Sequence, residues 1–277
     1  MKNIITPTPN YSASARFFDE LPLWSAPFGL KLLEFIEYRR GIAALDIGSG
    51  AGFPLIEIAM RLGDESIVHS VDPWREALDV ARGKIEAYGL SNVQLFEGEA
   101  ESLPFENSRF DLITSNNGLN NAHDFEKAIA ECARTIKPGG QFVHTMNLDK
   151  TMFEFYDAFE SVLRGEGMTA EIALTREHIR AKRKPVEAVI HTMRDNGFVV
   201  RDIEYDEFHY RFADGSAFLN HQFIRMAFLG AWVDLLPTDK VEPIFNEVER
   251  RLNETARRNG GLKISVPFAL VNATFRS

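Results

Sequence analysis

Residues 43–54 read Ala43-Ala44-Leu45-Asp46-Ile47-Gly48-Ser49-Gly50-Ala51-Gly52-Phe53-Pro54. An apolar run from 42 to 47 with one acid near its end is the pattern of a buried strand, and residues 55–62 continue at helical spacing. A strand, a glycine turn and a helix in this order form a nucleotide-binding shape. Glycines at 48, 50 and 52 allow positive φ and remove the Cβ atoms that would keep a ligand off the main chain. The following helix aims its free N–H groups and the positive end of its dipole at whatever sits there. A dinucleotide fingerprint needs glycine three residues after its second glycine, and that position holds Phe53, so G-x-G-x-x-G fails.

The spacing present is G-x-G-x-G with Asp46 two residues ahead of it, and it resembles the first motif of class I S-adenosylmethionine (SAM)-dependent methyltransferases, of the type 11-like kind. Further segments extend the resemblance. Residues 67–71 read as a second buried strand ending at Asp72-Pro73, where a carboxylate beside the glycine turn accepts the hydroxyl protons of a ribose; an exposed helix N-cap would also favour Asp there. Residues 93–96 read as a third strand, running into Gly98-Glu99-Ala100-Glu101, similar to the family's acidic-Ala segment at the adenine pocket. Glu stands where the family more often has Asp, so either Glu99 or Glu101 is the contact. Residues 110–115 are a fourth strand ending in Asn116-Asn117-Gly118-Leu119-Asn120-Asn121. Lys137-Pro138-Gly139-Gly140 closes a helix over 125–136 and opens a fifth strand at 141–146.

The resemblance runs through residues 42–146 and implies SAM as cofactor, with Asp46, Gly48, Ser49, Gly50, Gly52, Asp72, Pro73, Glu99, Ala100 and Asn116 as its contacts. The Gly-Leu-x-Asn run resembles the corresponding loop of quinone C-methyltransferases, in which an arginine stands where Asn120 is here. That leaves Asn117, Asn120 and Asn121 as acceptor contacts, although Asn clusters also form plain turns. The Asn/Asp-Pro-Pro-Tyr motif of enzymes that methylate nucleobase amines or glutamine amides is absent from this loop.

Composition bounds the rest. The 277 residues, 45% of them hydrophobic, suffice for a large α/β domain with an insertion. A formal charge of −9 argues against a surface built for nucleic-acid phosphates. One cysteine, Cys132, excludes an internal disulfide and fits a reducing, cytoplasmic setting. The run 223–236 carries Arg225 and Asp234 and is shorter than the ~20 apolar residues of a membrane span, so no membrane insertion is expected.

The expected architecture is a Rossmann-like α/β fold with a seven-stranded mixed sheet and a helical cap inserted late in the chain. Residues 1–41 form a lid of helical pieces interrupted by Pro22 and Pro27, with Phe17, Phe18 and Trp24 over the cofactor or the sheet edge. Residues 42–150 are the SAM-binding core, and 151–184 a helical insertion. Residues 185–212 supply a core helix and strand six, 213–261 a helical cap, and 262–277 an antiparallel strand seven. Phe218, Phe223, Phe228 and Trp232 make the cap more apolar than a surface helix requires, which suits either burial against neighbouring helices or an acceptor pocket, with Phe223 and Trp232 as lining residues. No metal-ligand pattern is present. For a hydroxyl or acidic-carbon acceptor the base candidates are His123, His144 and His221, with His209 behind them. A SAM-binding partner subunit without transfer activity, or an enzyme moving another group from SAM, share these motifs; methyl transfer to a small, partly apolar molecule is the leading expectation.

Overall fold

A computed structural model describes residues 15–16 and 23–276. The first described helix, α1 (Ser25–Phe35), holds Pro27 in its first turn, where backbone N–H groups have no intrahelical acceptor and proline costs nothing. Next come β1 (Ala43–Ile47), α2 (Leu55–Leu62), β2 (Ile67–Asp72), α3 (Arg75–Tyr88), β3 (Val93–Glu97) and β4 (Phe110–Asn116). They are followed by α4 (Phe125–Thr135), β5 (Ile136–Asn147), α5 (Phe153–Gly165), α6 (Thr169–Lys182), α7 (Val186–Asp195) and β6 (Phe198–Phe212). The chain continues with α8 (Gly215–Asn220), an irregular helix α9 over residues 222–233, α10 (Val241–Asn259) and β7 (Leu262–Phe275). The middle of α9, Arg225–Leu229, is a π-helical turn.

The seven strands form one sheet in the order β3-β2-β1-β4-β5-β7-β6. Pairings from β3 through β5 are parallel, and β7 lies antiparallel to β5. Period-two alternation sorts side chains to the two faces. Leu45, Ile47, Ile113 and Phe142 join the cluster under α4 and α7. Ala44, Leu112 and Val143 join the one under α1 and α2. Strand order reverses between β1 and β4, so their carboxyl ends flank a topological switch point, where open α/β sheets hold ligands.

The Lys-Pro-Gly-Gly segment differs from expectation. Residues 137–140 do not separate a helix from a strand; they bulge within β5, whose register against β4 jumps from Phe110↔Ile136 to Leu112↔Gln141. Gly139 takes φ +80°, and Lys137 pairs with Asp111 at 2.8 Å, which fixes the bulge to β4.

The chain divides into two compact units. One contains the core elements, with α1 through residue 148, α7, the first part of β6 and the end of β7. In it α1 is a layer helix, with Leu32, Leu33 and Ile36 in the core and its end tied to β5 by Gln141, which donates to Phe35 O at 2.8 Å. Trp24 packs on Phe28 at 5.5 Å. Phe17, Phe18 and Pro22, part of the expected lid, lie outside the described residues. The second unit comprises Asp149–Arg183 and Glu207–Pro267, and thus the expected helical insertions with the adjoining parts of β6 and β7. Its interior is aromatic: Phe155, Phe159, Phe218, Trp232 and Phe245 are all fully buried. α8 lies so close to α10 that a Cβ on Gly215 would sit 2.4 Å from Leu252 Cβ.

Among the described residues no helix is long and apolar enough to cross a membrane, and no group of His, Cys, Asp and Glu could hold a metal. Cys132 is buried, and burial pushes its thiol well above the usual range, as for an inert core residue.

Candidate active site

The glycine turn leaves β1 at the switch point. Gly48 (φ +79°) donates to Val71 O at 2.9 Å, which holds the turn to the end of β2. Gly50 has φ +52° and nothing within 4 Å of where a Cβ would stand, so this backbone faces open space. Lys84 of α3 donates to Ala51 O at 2.8 Å and braces the turn from below. Phe53, the residue that breaks the dinucleotide spacing, lies against α1: a Cβ on Gly29 would be 2.3 Å from its ring.

Asp72 ends β2 beside this turn. Its Oδ2 accepts from Gly50 N at 2.8 Å and its Oδ1 from Trp74 N at 2.7 Å. Asp72 is thus not the cap of α3, whose N-cap is Trp74 without a side-chain cap; its carboxylate bonds the N–H of that residue and holds the glycine turn. Desolvation raises its pKa, and the two backbone donors oppose the rise. Asp46 is 1% exposed, and its Oδ1 accepts from Thr114 Oγ1 at 2.7 Å. Its Oδ2 is buried with no protein partner, and burial raises its pKa to about 7. Ser49 is turned inward and its hydroxyl shares a hydrogen bond with Ser70, which leaves its backbone for a ligand. Pro73 is exposed at the edge.

The acidic loop separates its two glutamates. Glu101 Oε1 accepts from Asp124 N at 3.0 Å at the start of α4, and its Oε2 is buried with no protein partner. Glu99 is exposed and close enough to Asp72 to raise that group's pKa, which puts it on the cofactor side, followed by half-buried Ala100.

Beyond β4, Asn116 Nδ2 donates to Ser25 O at 3.0 Å and its Oδ1 accepts from Thr145 at 3.1 Å. Asn117 takes φ +56°, a conformation Asn tolerates. Asn120 donates one N–H to Asn117 Oδ1 and the other to Asn147 Oδ1, the latter at 2.9 Å. Asn147 N in turn donates to Asn117 Oδ1 at 3.1 Å. The expected acceptor contacts are thus one amide network. Asn120 has spent both its donors and keeps its carbonyl for a ligand, and Asn121 is exposed at the rim. Asn147 and Lys84 belong to this site and carry no local sequence signal.

Two expected residues are corrected. His144 is fully buried in β5 between Phe142 (6.1 Å) and Phe125 (6.4 Å), and burial lowers its pKa to about 4; it is a neutral core residue and no base. Trp232 is fully buried in the second unit, stacked on Phe155 at 3.8 Å and donating from Nε1 to Tyr156 Oη at 3.0 Å, so it packs the interior and lines no pocket. His123 is exposed beside α4. In the second unit His221 is half buried, edge-on to Phe212 at 5.4 Å, and Phe223 is half buried near Phe228 at 5.6 Å.

Sheet order, antiparallel last strand and glycine turn at the switch point together define the class I methyltransferase fold. Residues 45–144 match the family model described as a methyltransferase domain. A demethylmenaquinone methyltransferase of Bacillus mycoides is 31% identical over 127 residues, 46% of this chain and 54% of that protein. The chain spans about half the length of the curated relatives it matches. Among solved structures, the YcgJ protein of Bacillus subtilis superposes with TM-score 0.59 at 21% identity, covering 91% of this chain and 99% of that one. The [4+2]-cyclase SpnF does so with TM-score 0.55 at 15% identity, covering 97% and 98%. SAM is the cofactor of this domain class, and the residues present fit it: Asp46 Oδ2 is an orphaned buried acceptor and the Gly50 backbone is open.

Proposed function

We propose that this chain is a SAM-dependent methyltransferase acting on a small, partly apolar molecule. The observation that carries the reading is the Asp72 carboxylate fixed to Gly50 N at the end of β2, inside a segment matching a methyltransferase domain. Asp72 would take the ribose hydroxyls, the backbone at Gly48, Gly50 and Gly52 the methionine part, Glu99 and Ala100 the adenine, and Asp46 and Asn116 the remaining polar groups. SAM supplies an electrophilic methyl carbon on a sulfonium. The chain's own task is to hold an acceptor atom about 3–3.5 Å from that carbon, in line with the breaking bond and shielded from water. Asn117, Asn120 and Asn121 would orient the acceptor from the loop after β4. Asn120 stands where the quinone C-methyltransferases carry arginine, so this acceptor differs from theirs in what it asks of that position. His123, in the same unit as the SAM segment, is the base candidate for acceptors that must lose a proton.

The test is an untargeted transfer screen with methyl-labelled SAM and pooled small metabolites. Label appearing in a small molecule, and not in nucleic acid or protein, is the expected result. SAM that binds and yields no labelled product across the pool would favour a non-transferring binding protein.

A further inference from the structure

The end of α5 and one face of α6, both in the second unit, border an open cavity of about 450 Å³ lined by Arg164, Thr169, Ile172, Ala173, Arg176 and Arg180. All but Arg164 stand on α6 at the i, i+3, i+4, i+7 and i+11 spacing of a single helical face. No carboxylate lines this cavity, and Glu171 and Glu177 of the same helix lie outside its lining. Glu160 of α5 pairs with two of the three arginines: its Oε2 accepts from Arg176 Nη2 at 2.7 Å, and Arg164 Nη2 lies 3.8 Å from the same atom. Arg180 has no ion pair among the described residues. Its one hydrogen bond there runs from Nε to Arg176 O at 3.3 Å, so both Nη groups keep their donors. Three guanidiniums against one carboxylate leave two positive charges uncompensated at the cavity. Arg176 and Arg180 are moreover like charges four residues apart, which destabilises a helix face on its own account. Forty acidic residues against 31 basic leave no general shortage of carboxylates to relieve them.

We infer that this cavity is a binding site for an organic phosphate monoester, its phosphate held by Arg164, Arg176 and Arg180. A phosphate dianion matches the two uncompensated charges, and guanidinium forks take phosphate oxygens in pairs. A single carboxylate would leave one positive charge over. The Thr169 hydroxyl offers one more donor, and Ile172 and Ala173, between Thr169 and Arg176 on the same face, give the organic part an apolar wall. A soluble ester and the headgroup of a phosphate-bearing lipid share this chemistry, and the experiment separates them. The inference stands apart from methyl transfer, because every residue in it belongs to the second unit and none to the cofactor turn.

The experiment is a calorimetric titration of the full chain with phenyl phosphate at about pH 8, where a phosphate monoester is a dianion. Phenyl sulfate, of the same shape with one charge, and inorganic phosphate are the controls. Phenyl phosphate should bind saturably, more tightly than inorganic phosphate and about tenfold or more tighter than phenyl sulfate. Arg180→Gln should weaken it about tenfold or more without lowering the unfolding midpoint, since it removes an exposed charge that no acid pairs with. Arg164→Gln, at the opposite wall, decides in its place should that variant not fold. The two sources are told apart with vesicles: sedimentation with phosphatidylcholine vesicles containing phosphatidic acid, and not with pure phosphatidylcholine, assigns the site to a lipid headgroup. A chain that binds phenyl phosphate and stays in solution with both assigns it to a soluble ester. No binding of phenyl phosphate, equal affinity for either control, or an undiminished affinity in the folded variant would overturn the inference. So would a response abolished by S-adenosylhomocysteine, which would place the anion at the glycine turn.

Discussion

Gly48 and Gly118 meet backbone to backbone: a Cβ on Gly118 would lie 2.6 Å from Ile47 O and 3.0 Å from Gly48 Cα. The loop that carries the asparagines thus rests directly on the turn assigned to the cofactor, and Ser115 Oγ fixes it by donating to Ile47 O at 3.0 Å. Gly118 does not need a positive φ; it is required by contact alone. Gly118→Ala should cost on the order of 1–3 kcal/mol of stability by overpacking and should weaken SAM binding as well. Denaturant unfolding with calorimetry checks both; a variant with parental stability and affinity would contradict the contact.

Asp72 holds two backbone donors, so its replacement should be felt in the turn as well as in the ligand. Asp72→Ala is expected to weaken SAM by roughly 1.5–3 kcal/mol, the scale of a hydrogen bond to a charged group. Calorimetric affinities of parent and variant measure this, and an unchanged affinity removes Asp72 from the site.

Asp46 makes a pH prediction. A folded pKa of about 7 against the ordinary carboxylate value of 3.8 means that, between those values, the folded protein holds a proton the unfolded chain has lost. Stability from this group is therefore full below about pH 4 and declines as pH rises toward 7. His144, held neutral with its pKa at about 4, pulls the other way, so the Asp46 effect is read as a difference. Asp46→Asn keeps an acceptor for Thr114 and removes the titration. Without cofactor, its unfolding midpoint relative to the parent should climb from pH 5 to pH 8, by an amount on the order of a few kcal/mol in stability. A difference flat with pH would show that Asp46 is not the titrating group.

The Asn network changes what a loop substitution means. Asn120→Ala removes two donated hydrogen bonds within the site, to Asn117 and Asn147, and no core packing. Turnover of the true acceptor should fall at least tenfold, while SAM affinity changes by less than about threefold. Equal loss of both would mean that the network serves the cofactor.

How far the sequence was legible depended on whether a residue's partners are near in the chain. Strand and turn around Asp46 were readable because an apolar run, a glycine triplet and a helix follow one another directly. His144 was misread as a base candidate although its period-two neighbours Phe142 and Met146 belong to the core face of β5, a pattern that already points to burial. Asn147 meets Asn120 across 27 positions and Lys84 meets Ala51 across 33, so neither could be read without the fold. Trp232 became a core residue for the same reason: its hydrogen-bond partner Tyr156 stands 76 positions away. Trp232→Ala should accordingly cost about 3–5 kcal/mol as a packing loss, seen in denaturant unfolding. A near-neutral value would return Trp232 to the surface of a pocket.

The most direct measurement of the central claim is a calorimetric titration of the purified chain with SAM, with its demethylated product S-adenosylhomocysteine, and with NAD. Saturable binding of the first two at micromolar concentrations, and none of NAD, is the predicted result. Binding of NAD with no response to SAM would contradict the reading of the G-x-G-x-G turn and of Asp72 on which the account rests.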